Sequence, residues 1–484
     1  GKLYANPNND LYEIDVNNKT WTKIASGVEK ISVDSVDQSI YYYYNNGTDA
    51  YKLTSVWNPD TEAVQPSQVD GWYYIENAGN FLWLKDNPSA KCILTRDIQI
   101  GTAENPFTEP FPFYGTLKSI GSQKTIEAHI VTASGNTGLF SENTGGNLVL
   151  DNIRLTGSIT ANGTASGTYV GGFLGMANKN TVISNCVNEA AVSGGEQTGG
   201  IVGRLFASGS ISNCINKGAI SSNKFNMKGV LGGIFGFTNC NVTDCGNLGS
   251  INDPLNEIAA GIGGWLGYGA KMERCYNLGN ITGRYYTAGI VGKTGGGAAV
   301  TIKDCFNAGA VTGKSPSAGN VAGLVYNLSG ATMENCYTVG TLTKGANAKA
   351  YAVIASGNGT LSNVYYIGTS DTDGVEGTNV FPSAEVSPSD IGFDTSVWEK
   401  VASYAYPKLI GHDLVEAGTD MFPYRIETKA DFLSIANNKS AVYFLANDIE
   451  LGNYTPFVFS GKFYGDAAAM PTVSVNIDKS EANQ

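Results

Sequence analysis

Through the middle of the chain a cysteine, an asparagine two residues on and usually a glycine two beyond that return about every thirty residues. The frame reads "SNCVNEAAV" from Ser184, "SNCINKGAI" from Ser212, "TDCGNLGSI" from Thr243, "ERCYNLGNI" from Glu273, "KDCFNAGAV" from Lys303 and "ENCYTVGTL" from Glu334. An apolar residue precedes each cysteine by three (Ile183, Ile211, Val242, Met272, Ile302, Met333), and another follows by six (Val192, Ile220, Ile251, Ile281, Val311, Leu342). A glycine-led apolar cluster comes next, as in "GGFLG" from Gly171, "GGIVG" from Gly199, "GGIFG" from Gly232, "GGWLG" from Gly263 and "AGIVG" from Ala288. Three short apolar segments per repeat, parted by Gly or Asn, describe three short strands joined by turns. One repeat has too few apolar residues for a core of its own, so the repeats must stack. The predicted fold is all-β: a single-stranded parallel β-helix of roughly nine coils of about 30 residues between Ser134 and Gly368, a rod roughly 40 Å long.

In-register stacking places like side chains over like, which explains the recurrence. Cys186, Cys214, Cys245, Cys275, Cys305 and Cys336 share a position that Ile153 and Val364 fill before and after them. A site that accepts Ile, Val and Cys is small, apolar and buried, so these are core thiols rather than disulfides or metal ligands. Asn188, Asn216, Asn247, Asn277 and Asn307 form a ladder, expected to take the left-handed conformation at a tight corner and to hydrogen-bond along the axis. Gly218, Gly249, Gly279, Gly309 and Gly340 mark backbone that a Cβ would obstruct. The step of three from apolar residue to cysteine breaks strand alternation, so a bend falls at "SN", "TD", "ER" or "KD".

A solenoid cannot end on bare strand edges. "ENAGNFLWLKDN" from Glu76 puts Phe81, Leu82 and Leu84 on one face of a capping helix, and "SVWEKVASYAYPKLIG" from Ser396 is expected to plug the far end with Trp398, Tyr404, Tyr406, Leu409 and Ile410. The segment from Tyr73 to Gly101 then aligns without a gap to Tyr424–Gly452, and "PFPFYG" from Pro110 meets "PFVFSG" from Pro456. Residues 412–484 are therefore read as the opening of a second β-helix of a longer protein, a short independent module being the alternative. Residues 1–65 read as a small β-sheet domain of strand, Asn/Gly turn and strand, and 66–411 as the capped rod.

Composition narrows the partners. Lys and Arg number 31 against 43 Asp and Glu, a net charge of −12 with no basic run, which argues against nucleic acid and anionic membrane. No apolar stretch approaches a bilayer span, so any membrane tie would come from an anchor outside this chain. The start at Gly1 is read as processed, so missing targeting signals carry little weight.

The repeats resemble the GLUG-motif family through Gly200-Ile-Val-Gly203, Gly233-Ile-Phe-Gly236, Gly264-Trp-Leu-Gly267 and Gly289-Ile-Val-Gly292; Gly138-Leu-Phe-Ser141 and Gly323-Leu-Val-Tyr326 depart at the last position. That resemblance implies an exported bacterial protein, extracellular or on the cell surface, often assigned to adhesion. It transfers no catalytic residue.

Parallel β-helices also carry pectate-lyase-like and polygalacturonase-like enzymes, so chemistry must be weighed. Hydrolases of that kind need facing carboxylates, yet the chain has no Asp-Asp or Glu-Asp pair. Asp244, Glu273, Asp304 and Glu334 form a mixed-charge row with Arg274 and Lys303, ordinary as a solvated face. The place for calcium is "SDTDGVEG", where Asp371, Asp373 and Glu376 could share a hard cation; a plain polar loop is the simpler reading. No other cofactor is implied. His129 and His412 are far apart, with no nucleophile motif near either. One feature points to binding: Tyr276, Phe306, Tyr337 and Tyr365 follow the cysteine position in consecutive coils, a stacked strip that could bind sugar rings if it faces outward or serve as core if covered. The reading favours a monomeric, non-enzymatic, adhesin-like β-helix that contacts polysaccharide or surface glycoprotein. A polysaccharide-degrading lyase or hydrolase, or a passive stalk, stands as the alternative.

Overall fold

In this computed structural model the described residues run from 61 to 476, with gaps at 164–166, 223–228, 254–256, 296–299, 316–318, 368–377, 383–385, 402–403, 413–422, 440 and 466–470. Before 61 they comprise Glu29, Trp57 and the strands between 3 and 53. The rod is a winding of parallel sheets with about nine turns. Each coil contributes to four sheets rather than to three strands: twelve-, seventeen-, seven- and eight-stranded. One coil shows the route. Gly209–Ser212 joins the twelve-stranded sheet, and Ile215–Asn216 and Ile220–Ser221 both join the seventeen-stranded one. Val230–Gly232 then enters the seven-stranded sheet and Phe235–Thr238 the eight-stranded one. The expected β-helix is there, with one more side than the apolar segments alone suggested.

The corner between the first two sheets is where the predicted bend falls, and its conformation is left-handed. Asn152, Asn185, Asn213, Asp244, Arg274, Asp304, Asn335 and Asn363 all have φ between 50° and 57°. The left-handed residue is thus the one before the cysteine, correcting its assignment to the Asn188 column. That column lies in extended strand and points into the rod, where it is fully buried. Each amide Nδ2 donates to the next Oδ1: Asn188 to Asn216, Asn216 to Asn247 and Asn247 to Asn277 at 2.7 Å, and Asn277 to Asn307 at 2.8 Å. The second N–H donates within the coil, to the Gly218, Gly249 and Gly279 carbonyls at 2.9 Å. Buried amides with both donors used impose no desolvation penalty of the kind an unpaired amide would.

Two glycine columns make room for this ladder. A Cβ on Gly249 would lie 2.0 Å from the Gly218 carbonyl oxygen and 2.8 Å from the Asn216 amide nitrogen. On the other side, a Cβ on Gly261 would lie 2.1 Å from the Gly289 carbonyl oxygen and 2.5 Å from the Asn277 amide carbon. Gly200, Gly233, Gly261, Gly289 and Gly323 form that second column, so the fourth repeat of the glycine motif starts at Gly261 rather than Gly264. The motif's closing glycine has a separate reason: a Cβ on Gly203 would come 2.5 Å from the Val170 backbone nitrogen of the preceding coil. Ser141 is tolerated there because the seven-stranded sheet starts only at Tyr169–Gly171. Tyr326 is tolerated because its ring turns onto Tyr286, centroids 4.4 Å apart.

The cysteines are all free and buried, and one apolar core runs from Trp57 to Tyr366. Burial pushes the thiols of Cys186, Cys245 and Cys305 up, and that of Cys92 to about 12. The capping helix Ala78–Trp83 is held by Asn77 at its N-cap; Phe81 and Leu84 are buried against the first coil, while Leu82 is half-buried. The N-terminal region forms two three-stranded antiparallel sheets, Leu3–Ala5 to Thr20–Ser26 and Lys30–Val33 to Asp49–Leu53.

Residues 424–476 repeat the opening topology. Tyr424 pairs with Tyr443 as Tyr73 does with Cys92, and Ile449 with Val473 as Ile98 does with Ile126. Its helix Lys429–Ser434 carries a full capping box from Thr428 and Asp431 but buries none of its residues.

We expect Gly261→Ala to lower stability by about 2–3 kcal/mol through overpacking against the ladder, read as a shifted urea midpoint. In the same protein before substitution, thiol reagent should modify no cysteine under native conditions and all eight in denaturant.

Candidate functional site

Along the seventeen-stranded sheet, alternation sends the Asn side chains inward and the column just before them outward. Tyr276, Phe306, Tyr337 and Tyr365 therefore do leave the rod, in register and stacked: Tyr276 on Phe306 at 5.6 Å and Phe306 on Tyr337 at 5.0 Å. They are not open to solvent. Tyr276, Phe306 and Tyr337 are at most 1% exposed, covered by a second core of Phe381, Val386, Ile391, Phe393, Trp398, Tyr404 and Leu409. Only Tyr365 is half-buried.

The covering segment is 378–412; its part 396–411, expected as an end plug, is instead a lateral clasp. Thr378–Val380 continues the seventeen-stranded sheet beside Val364–Tyr366, and the chain then turns back along the rod. Phe381 stacks on Tyr365 at 5.4 Å, Trp398 lies 5.6 Å from Tyr337, and His412 meets Tyr276 edge-on at 5.4 Å, so successive clasp residues reach earlier coils. Ile410, assigned to the plug, is 44% exposed. Polar anchors fix the path: Tyr337 donates to the Pro407 carbonyl at 2.5 Å and Trp398 Nε1 to Asp304 Oδ1 at 3.2 Å.

The mixed-charge row supplies the last anchor. Arg274 binds Asp244 in a fork, Nε to Oδ1 at 2.6 Å and Nη2 to Oδ2 at 2.8 Å, while His412 Nε2 lies 3.4 Å from Oδ1. Burial pushes the Asp244 carboxyl up, but the contacts with His412 and Arg274 outweigh it and hold the group well below the usual range. At Asp304 the balance reverses: burial raises it against hydrogen bonds from Trp398 and Asn335. His129 stands apart, its Nδ1 3.1 Å from Ser158 Oγ and its Nε2 3.5 Å from Glu127. Asp371, Asp373 and Glu376 lie outside the described residues.

A different column remains open, on the outer side of the eight-stranded sheet. Arg204, Phe237, Trp265 and Lys293 share one register position in four consecutive coils. The guanidinium of Arg204 lies 4.8 Å from the Phe237 ring, 5.3 Å from Phe206 and 5.1 Å from Tyr169. Phe237 meets Trp265 edge-on at 5.2 Å, and Lys293 Nζ sits 4.1 Å over the Trp265 ring. Phe206 is 50% and Tyr268 55% exposed. Trp265 Nε1 has no hydrogen-bond partner among the described residues. Phe237 is buried by these neighbours and stands outside the inner core. The four residues differ in chemistry, so no repeated letter marks them; the outward register of a strand identified only as an apolar cluster was the available signal.

A groove of about 520 Å³ is lined by Gln123, Asp151, Asn152, Asn185, Val187, Asn213 and Ile215. Its one carboxylate, Asp151, accepts hydrogen bonds from Ser184 at 2.8 Å and Asn185 at 2.6 Å. The groove offers amides to a hydroxyl-rich ligand, and no second carboxylate faces Asp151 among its lining residues.

No family model matches the chain, and no curated protein does. Among solved structures the chain is similar to one from Bacteroides ovatus, provisionally named an immunoglobulin A1 protease, with a TM-score of 0.40 and 18% identity over 70% of this chain and 93% of that one.

Because its folded-state pKa is depressed, Asp244 contributes stability above its unfolded value of about 3.9, and loses it as pH falls below that. Asp244 is 32% exposed, which holds the effect to about 1 kcal/mol. Melting from pH 6 to pH 3 should therefore cost the wild type about 2 °C more than Asp244→Asn.

Proposed function

We propose that this chain is an exported bacterial β-helix of the GLUG-repeat type, extracellular or at the cell surface, whose role is adhesive contact rather than catalysis. It acts as a monomer on polysaccharide or surface glycoprotein. The observation that carries this reading is the column of rings and cations from Arg204 to Lys293, with Phe206 and Tyr268 about half exposed beside it. Apolar ring surface left open has a use in recognition. Side chains spaced by the strand separation of about 4.8 Å present repeated contacts to an extended chain. Single contacts of this kind are weak, and a rigid rod adds them without further ordering cost.

The covered strip at Tyr276, Phe306, Tyr337 and Tyr365 serves the same reading differently. It is the seat of the clasp, and a ligand could reach it only by displacing Trp398. The binding surface is therefore assigned to the opposite, open column.

Pull-down and titration against plant, mucin and microbial polysaccharides, with calcium present, test the reading. We expect binding to at least one of them without release of new sugar ends. Phe206→Ala with Trp265→Ala should weaken that binding about tenfold, or 1.4 kcal/mol, with unchanged circular dichroism. Release of sugar ends would replace adhesion by polysaccharide degradation and direct attention to the groove at Asp151.

A further inference from the structure

The open column also carries charge, and its pattern narrows the ligand. We infer that the column binds an anionic polysaccharide, its carboxylates or sulfates held by Arg204 and Lys293; this rests on the glycan-contact reading above. Both cations occupy the same outward register position as Phe237 and Trp265, one at each end of the ring pair. Three coil steps separate them, about 14 Å along the axis. Neither is paired with a carboxylate among the described residues: Arg204 contacts the Gln197 side chain at 3.4 Å and its three rings, and Lys293 contacts the Trp265 ring.

That arrangement differs from that of several other cations of the rod. Arg274, Lys217 and Lys303 each have an acidic partner within 4 Å. On a chain of net charge −12, two such cations bracketing a pair of rings make a local positive site. A guanidinium stacked on an aromatic face keeps its edge N–H groups free for a two-pronged acceptor, the geometry of a carboxylate or sulfate. Lys293 over Trp265 supplies a compact point charge at the other end. An extended chain laid along the rod can thus rest a sugar face on Phe206 and meet a cation at either end of the ring pair. The site lies at the surface, so its electrostatic part is screened by salt.

The test uses the full chain and defined probes: polygalacturonate, its methyl ester, chondroitin sulfate, hydroxyethyl cellulose and single-stranded DNA. We expect polygalacturonate or chondroitin sulfate to bind. Methyl esterification, 0.5 M salt, or Arg204→Gln with Lys293→Gln should each weaken that binding about tenfold. Each variant is checked for fold by its unreactive thiols. Equal binding of charged and neutral glycans, lost in Trp265→Ala but kept in the double Gln variant, would overturn the anionic assignment and leave the glycan reading intact. Equal or tighter binding of single-stranded DNA would overturn the anionic-glycan assignment in favour of a general polyanion surface. Absence of binding to every glycan would overturn the glycan reading itself.

Discussion

Everything in the rod depends on a line of buried amides. An asparagine side chain in an apolar interior is costly unless both its N–H groups and its oxygen find partners. Here each finds them in fixed places: the next coil's amide above and a carbonyl two residues along its own coil. The first bond fixes the vertical register of coil on coil, and the second fixes the turn within the coil. Neither survives a slip of one residue, because strand alternation would turn the amide outward. The glycines on either side follow from this requirement, since a methyl group in either column would overlap the amides or the neighbouring carbonyls.

Once register is fixed, the outward columns are fixed too, and their uses diverge. Beside the amides, the column Tyr276, Phe306 and Tyr337 is apolar enough to demand a cover, which the returning segment provides through Trp398, Leu409 and His412. On the eight-stranded sheet the equivalent column mixes cation and ring, and all of it but Phe237 is only half-buried. The same stacking that builds a core on one side therefore presents a repeated surface on another.

The repeat, the buried thiols, the amide ladder and the obstructed glycines were all legible in the sequence, because each depends on one residue type recurring at one position. The errors have the opposite cause. The left-handed corner accepts Asn, Asp and Arg, so its true column was passed over for the uniform Asn188 one. Gly261 was misaligned to Gly264 because "GIGGWLG" contains the glycine step twice, and only strand pairing through Gly263 and Phe235 separates the two. The clasp reads as an aromatic segment but was assigned to the end of the rod rather than its side, since nothing local tells a plug from a strap. The Arg204 to Lys293 column was missed because its members share a direction and no chemistry.

Native-state hydrogen exchange on Asn277→Ala tests the amide ladder most directly. If the amides set the register, losing one should unprotect the strands at Asn247 and Asn307 together with their own coil, while the clasp contacts at Phe381 and Tyr365 keep theirs. Loss of protection confined to the substituted strand would mean that apolar packing alone holds the coils in register, and would contradict the account.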